Sequence, residues 1–472
     1  MKQTFRKEHD FLGERKIDDT VFYGIQTLRA IENFHITGIP VSREPVFIKA
    51  LGYVKKAAAM ANMELGVLPR EIGKAIMKAS DRLIAGELTD QFPTDMIQGG
   101  AGTSVNMNAN EVIANAGLEY MGHPKGTYEY LHPNNHVNCS QSTNDAYPTA
   151  MRIALYLKVN DLLTSIDLLQ KSFGKKGNEF ANVLKMGRTQ LQDAVPMSLG
   201  AEFNAFATTL REDIQRLREI QALLTEVNMG ATAIGTTINA PAGYPELVTQ
   251  YLGQITGLPI VLATDLVEAT SDTGAFVLLS GMLKRTAIKV SKICNDLRLL
   301  SSGPRGGLNE INLPQLQPGS SIMPGKVNPV IPEVVNQTAY YVIGSDLTIT
   351  MAAEAGQLQL NVMEPVIGFS LFNMITYLQH AFDTLRLKCV DGITANADVS
   401  KAMVMNSIGI VTALNPLLGY ETCAAIAKEA LKTGKTIHQI VVEEKGYITE
   451  EQWNDIYSFE NMIHPHGIYT KA

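Results

Sequence analysis

Apolar residues recur along this chain at intervals of three and four over long stretches, and prolines bound those stretches. Residues 149–195, 197–240, 260–303, 333–364 and 366–415 contain no proline. Proline removes a helical donor and clashes with the preceding turn, so these spans leave room for five long helical regions. In the third, Leu279, Leu283, Ala287, Val290, Ile293, Leu297 and Leu300 form an apolar seam, with Lys284, Lys289, Lys292 and Arg298 between them. That spacing predicts an amphipathic helix. Asp265-Leu-Val-Glu268 has the form of a capping box at its start, and Ser302-Gly303-Pro304 stops it. The same period runs through Ile153, Leu155, Leu162, Ile166 and Leu169, where Gly174 and Gly177 are candidate interruptions, and through Phe203, Phe206, Leu210, Ile214 and Leu217. The span 333–358 is apolar with little charge, which predicts a helix covered on most faces by this chain or by other subunits. The stretch from about residue 145 to 395 therefore reads as a helical bundle, and the chain as mainly α.

The flanks read differently. Val46–Leu65 is helical in pattern, with Pro45 in its first turn, but turn signals surround it, and short hairpins are the expected strands. Near the other end Leu414-Asn415-Pro416-Leu417 marks a break, Gly434 a helix stop and Thr436 a helix start. Thr449-Glu-Glu-Gln452 is a capping box. Three domains are expected, at 1–141, 142–395 and 396–472.

Composition narrows the function. Of 472 residues 45% are apolar and 18% charged, which excludes a largely disordered chain. A formal charge of -7 makes a poor ligand for a phosphate backbone, so no nucleic-acid partner is expected. Cys139, Cys294, Cys389 and Cys423 are far apart and form no CxxC pair, as expected of reduced intracellular thiols. The charged opening lacks an apolar secretory core, and apolar runs such as Ala275–Leu279 are too short to span a bilayer. A cytoplasmic protein without a membrane segment is expected. No cluster of metal-ligand residues is apparent, so no cofactor or metal is expected either.

Four segments rich in Gly, Ser, Thr and Asn interrupt the apolar helices: Gly100–Asn110, Asn138–Asp145, Gly187–Asp193 and Gly319–Asn328. Hydroxyls, amides and free N–H groups at helix mouths suit a carboxylate ligand, although caps and turns use the same residue types. Gly319–Lys326 is not a phosphate-binding P-loop. Five residues separate Gly319 from Gly325, and Val327 stands where a magnesium-binding Ser or Thr is required.

The segment Gly319-Ser320-Ser321-Ile322-Met323-Pro324-Gly325-Lys326-Val327-Asn328-Pro329 instead resembles the GSSxMPxKxNP signature of the fumarase/aspartase superfamily. The resemblance extends over nearly the whole chain. Thr27–Phe34, Gly99–Asn108, Gln141–Pro148, Met186–Pro196, Glu268–Asp272, Ser291–Glu310 and Met351–Pro365 are all similar to the aspartase branch. It implies a three-domain fold with a central long-helix bundle, and a homotetramer whose active sites combine loops from different subunits. It also implies a small-molecule reaction, the reversible β-elimination of ammonia from L-aspartate to give fumarate.

Such a reaction removes a weakly acidic proton beside a carboxylate. It needs a base and donors that stabilise an aci-carboxylate. By resemblance Ser320 is the base, helped by Lys326, and Lys326 and Asn328 also bind a substrate carboxylate. Thr103, Ser142, Thr143 and Ser321 would hold the carboxylate that takes up charge, with Asn144 and Thr189 near the amine and the other carboxylate. A serine can serve as base only if backbone N–H groups and a cation stabilise its alkoxide, since its pKa exceeds the ~10 of tyrosine. Fumarases, and some aspartases, carry histidine where this chain has Gln190, and their histidine pairs with a glutamate corresponding to Glu333. Hydroxide needs a proton to depart, whereas the ammonium of aspartate already carries one, so Gln190 favours deamination. His132, His136, Arg29 and Arg188 read as structural, and Glu333 as a helix N-terminal charge. A fumarate hydratase, a lyase for a substituted aspartate and a non-catalytic protein on the same scaffold, as some lens crystallins are, stay as alternatives.

Overall fold

The computed structural model describes residues 4–463; the extreme ends of the expected first and last domains, and part of the charged opening, lie outside the described residues. Helices dominate. In chain order they are α1 (Ile25–Asn33), α2 (Pro45–Glu64), α3 (Arg70–Ile84), α4 (Thr103–Tyr120), α5 (Thr143–Glu179), α6 (Leu199–Gln221), α7 (Tyr244–Thr256) and α8 (Leu266–Ser271). They continue as α9 (Gly274–Leu300), α10 (Val330–Glu354), α11 (Glu364–Lys388), α12 (Ala397–Asn406), α13 (Asn415–Leu418), α14 (Tyr420–Thr433), α15 (Glu450–Ile456) and α16 (Phe459–Ile463). Two antiparallel hairpins, β1 (Phe5–Asp10) with β2 (Gly13–Asp18) and β3 (Leu184–Thr189) with β4 (Gln192–Ser198), are the longest strands. No single helix among the described residues is long and apolar enough to cross a membrane.

The chain divides into two compact units. The first takes in Met1–Thr164, Ile214–Ala287 and Tyr340–Gln379. Its core forms where Phe47 of α2 meets the Tyr147 ring edge-on at 5.3 Å and Phe372 at 5.4 Å. Within it α4 is buried on every face from Val105 to Leu118, including Asn106, Asn108, Asn110, Glu111 and Asn115. Buried amides cost free energy unless hydrogen-bonded, so α4 must carry a polar network through the core.

The second unit takes in Ser165–Asp213, Ile288–Ala339 and His380–Ala472. Phe173, Phe180, Phe203 and Phe206 pack edge-to-face between α5 and α6. Gly174 and Gly177 do not interrupt α5. A Cβ on Gly177 would lie 2.2 Å from Asn204 Oδ1 of α6, so close helix approach explains that glycine. Leu184 and Met186 of β3 enter a core with Ile426, Ile440 and Trp453, which anchors the β3–β4 hairpin.

One boundary differs from expectation. Asp265 caps the short helix α8 by accepting from the N–H groups of Val267 and Glu268, and α9 begins separately at Gly274. On α10, Ala339 and Val342 are buried, whereas Tyr340, Leu347 and Met351 stand exposed on this chain. The Thr449–Gln452 capping box is present on both sides, and Gly434 ends α14 with φ 73°.

Candidate active site

Two of the four polar segments are helix beginnings rather than loops. From Thr103 onward the first forms the opening turns of α4, and in the second Thr143 opens α5. The remaining two are the β3–β4 turn and an irregular loop before α10.

In the first unit, Ser142, Thr143 and Asn144 sit on a buried polar bed. Thr143 Oγ1 accepts from Asn106 Nδ2 at 3.2 Å, and Ser142 Oγ accepts from the Asn144 N–H at 3.3 Å. Both hydroxyl oxygens are thus used as acceptors, which leaves each O–H to donate outward. Thr103 differs: its hydroxyl donates to the Gly100 carbonyl at 2.7 Å, so it must turn to reach a ligand. Asn144 Nδ2 donates to the Ala233 carbonyl at 2.7 Å, which leaves its Oδ1 as the group able to accept from an amine.

Below them lie charges that the sequence reading missed. Asp145 is fully buried and accepts from the N–H groups of Ser142, Gly230 and Thr232. Burial pushes its carboxyl up to about 6, against the pull of those donors and of Lys55. Lys55, also fully buried, donates to Asn106, Gln141 and Asn138. Burial lowers it to about 7, with Asp145 opposing. The sequence offered little signal, because Lys55 is one of three lysines in α2, with Lys49 and Lys56, and only the fold sets it against Asn106 of α4.

In the second unit, Ser320 Oγ accepts backbone N–H bonds from Met323 at 3.0 Å and Ile322 at 3.2 Å. The loop closes at its base, where the Gly319 N–H donates to the Lys326 carbonyl at 2.7 Å and Asn328 Nδ2 donates to the Gly319 carbonyl at 2.8 Å. A Cβ on Gly319 would meet the Asn328 nitrogen at 2.8 Å, so glycine is required there. Ser321, Ile322, Met323 and Lys326 are exposed, and Lys326 makes no ion pair among the described residues. Lys326 and Asn328 border a cleft of about 650 Å³ that also takes in Arg298, Ser302 and Asn312.

Thr189 and Gln190 lie at the exposed tip of the β3–β4 hairpin, where Gln190 (φ 53°) and Leu191 (φ 63°) form a two-residue turn in the left-handed region. No hydrogen bond joins this tip to the Ser320 loop among the described residues. Arg188 pairs with buried Glu310 at 2.5 Å, and Arg29 with Asp10 at 2.7 Å. His132 Nδ1 accepts from the N–H groups of Asn134 and Asn135, a turn-capping role. Glu333 stands in the first turn of α10. Among the described residues no group of three or more His, Cys, Asp or Glu side chains is placed to hold a metal ion.

Residues 13–344 match a family model described as lyase, and residues 410–464 one described as fumarase C C-terminus. The chain belongs to the lyase family. It is 61% identical over 468 residues to an aspartate ammonia-lyase of Pseudomonas aeruginosa, covering 99% of this chain and 98% of that protein. An aspartate ammonia-lyase of Escherichia coli K12 is 56% identical over 466 residues, 98% of this chain and 97% of the relative. Among solved lyase-family structures, a fumarate lyase:delta crystallin from Brucella melitensis bound to cobalt superposes with a TM-score of 0.96. It is 53% identical and covers 98% of this chain and 100% of that one. A class II fumarase from Schistosoma mansoni gives 0.91 at 33% identity, covering 98% of this chain and 100% of the other.

Proposed function

We propose that this chain is a carbon–nitrogen lyase that deaminates L-aspartate reversibly to fumarate and ammonia. The full-length identity to aspartate ammonia-lyases supports the reaction. The observation that carries the site assignment is Ser320, whose oxygen already accepts two backbone N–H groups in the resting loop. Those donors are the groups an alkoxide requires, and Lys326 lies in the same loop to supply the cation.

In the proposed reaction the Ser320 alkoxide takes the proton from C3, and the electron pair moves into the adjacent carboxylate as an aci-carboxylate. Thr103, Ser142, Thr143 and Ser321 donate to it, while Lys326 and Asn328 bind a carboxylate and Asn144 and Thr189 the amine end. The pair then returns to form the C2–C3 double bond as the C2–N bond breaks and ammonia leaves. Gln190 hydrogen-bonds but cannot titrate, in keeping with a leaving group that brings its own proton.

The domain division at 1–141, 142–395 and 396–472 belongs to this proposal. So does a cytoplasmic homotetramer in which loops of different subunits complete each site. The exposed apolar residues Tyr340, Leu347 and Met351 on α10 suit such an interface.

The test follows fumarate by ultraviolet absorbance with L-aspartate and, separately, L-malate, for the wild type and Ser320→Ala. Fumarate from aspartate alone, lost in the variant, is the expected result. Fumarate from malate instead would make the chain a hydratase, and undiminished activity of Ser320→Ala would remove Ser320 as the base.

A further inference from the structure

Lys55 lies wholly inside the first unit, its ammonium held by Asn106 Oδ1 at 2.7 Å, Gln141 Oε1 at 2.9 Å and Asn138 Oδ1 at 3.3 Å. Among the described residues no carboxylate pairs with it directly. A buried cation bonded only to amide oxygens, with the Asp145 carboxylate acting on it from beyond hydrogen-bond distance, is costly, and a fold keeps such a charge without advantage only at the expense of stability. Its surroundings indicate where the advantage lies. Asn106 receives the lysine on Oδ1 and passes a hydrogen bond from Nδ2 to Thr143 Oγ1 at 3.2 Å. Because the Thr143 oxygen accepts from Asn106, its own proton is turned elsewhere. Hydrogen bonds in such a chain polarise one another, so the lysine charge makes the Thr143 O–H a better donor.

We propose that Lys55 is a positioning residue: through Asn106 it orients and polarises the Thr143 hydroxyl toward the substrate carboxylate that gains charge in the reaction. The proposal rests on the reading of Thr143 as part of that carboxylate pocket. Lys55 does not touch the substrate. Its charge acts most on the aci-carboxylate, which holds more negative charge than the bound substrate, so kcat rather than KM should register its loss.

The test is a double-mutant cycle in the full-length protein with Lys55→Met and Thr143→Val, reading kcat and KM for L-aspartate and the thermal midpoint. In the wild-type background Lys55→Met should lower kcat by about 30-fold or more while KM moves less than about threefold. In the Thr143→Val background the same change should cost less than about threefold. Equal losses in both backgrounds, or an unchanged kcat with a lowered midpoint, would overturn the proposal and leave Lys55 structural. If Thr143→Val alone leaves kcat intact, the pocket reading fails and this proposal with it. Should Lys55→Met not fold, Asn106→Leu takes its place, because the ammonium keeps Asn138 and Gln141. It should show the same coupling to Thr143, and its absence would overturn the relay.

Discussion

The side-chain amide of Asn228 donates at 3.1 Å to the carbonyl oxygen of Asn144, the carbonyl that Pro148 cannot serve. Pro148 lies inside α5, four residues after Asn144, and has no N–H to close that helical turn. Asn228, which also donates to Thr270 Oγ1, fills the gap from outside the helix. The residue proposed to meet the substrate amine is thereby held by an amide from a distant part of the same unit.

Asn228→Ala should leave that carbonyl unpaired and destabilise the protein by about 1–3 kcal/mol. Pro148→Ala restores an N–H at the right place and should recover much of the loss. Thermal midpoints of the two single variants and the double variant check this. A double variant less stable than Asn228→Ala alone would mean that the two residues do not serve one carbonyl.

The loop carrying Ser320 is exposed and held at its base by Gly319, Lys326 and Asn328, so it is cast as a lid that closes over substrate. Lys326 is followed by Val327 and is open to trypsin. Cleavage there should slow at least severalfold when fumarate is bound, as read by mass spectrometry of the fragments. A cleavage rate indifferent to fumarate would argue against lid closure.

Gln190 and Leu191 form a two-residue hairpin turn with both φ angles positive, where Asn-Gly is the usual choice. A leucine in that region stores strain. Leu191→Gly should therefore raise the thermal midpoint, by about 1 kcal/mol of stability, and lower kcat/KM for aspartate by loosening Thr189 and Gln190. Unchanged stability would show that the turn bears no strain.

The long helices were legible because their seams were periodic and prolines fell outside those seams, as with Leu279 to Leu300, even where one stands near a helix start, as Pro148 does in α5. The caps at Thr449 and Gly434 were legible because each depends on a few adjacent residues. Asp265 was read correctly as a cap but assigned to the wrong helix, since nothing local marks the break at Asp272 and Thr273 before α9. The glycines of α5 were ambiguous because only the packed structure shows Asn204 against Gly177. Site residues within one signature, such as Ser320 and Lys326, stood out as a motif. Lys55, Asn106 and Asp145 did not, because their roles depend on contacts among segments 35 to 50 residues apart and more, such as Lys55 with Asn106 and Asn106 with Thr143.

Ser320→Ala tests the other half of the site. The substitution removes the proposed base together with the acceptor of the Ile322 and Met323 N–H groups, in a loop that is already exposed. Global stability should hold within about 0.5 kcal/mol, as for a surface change. The rate of fumarate formation should fall by about a thousandfold, within the 10²–10⁴ typical of general-base catalysis. A loss below tenfold would mean that another group removes the C3 proton.

The pH dependence of stability should carry the mark of Glu364. This side chain is buried at the start of α11, with Oε2 lacking a hydrogen-bond partner, and burial pushes its carboxyl up to about 8 from 4.5, with Arg152 opposing. Between those values the folded protein keeps a proton that the unfolded chain has lost. The contribution to stability is therefore full below pH 4.5 and is lost as the pH rises toward 8, at up to about 1.4 kcal/mol per pH unit. Asp145 and Glu111, raised by burial to about 6 and about 7, slope the same way, so the informative quantity is the difference between variant and wild type. Glu364→Gln is neutral at every pH, and its thermal midpoint should fall less than that of the wild type between about pH 5 and pH 8. Parallel declines in the two proteins would show that Glu364 is ionised in the fold, with Arg152 outweighing its desolvation.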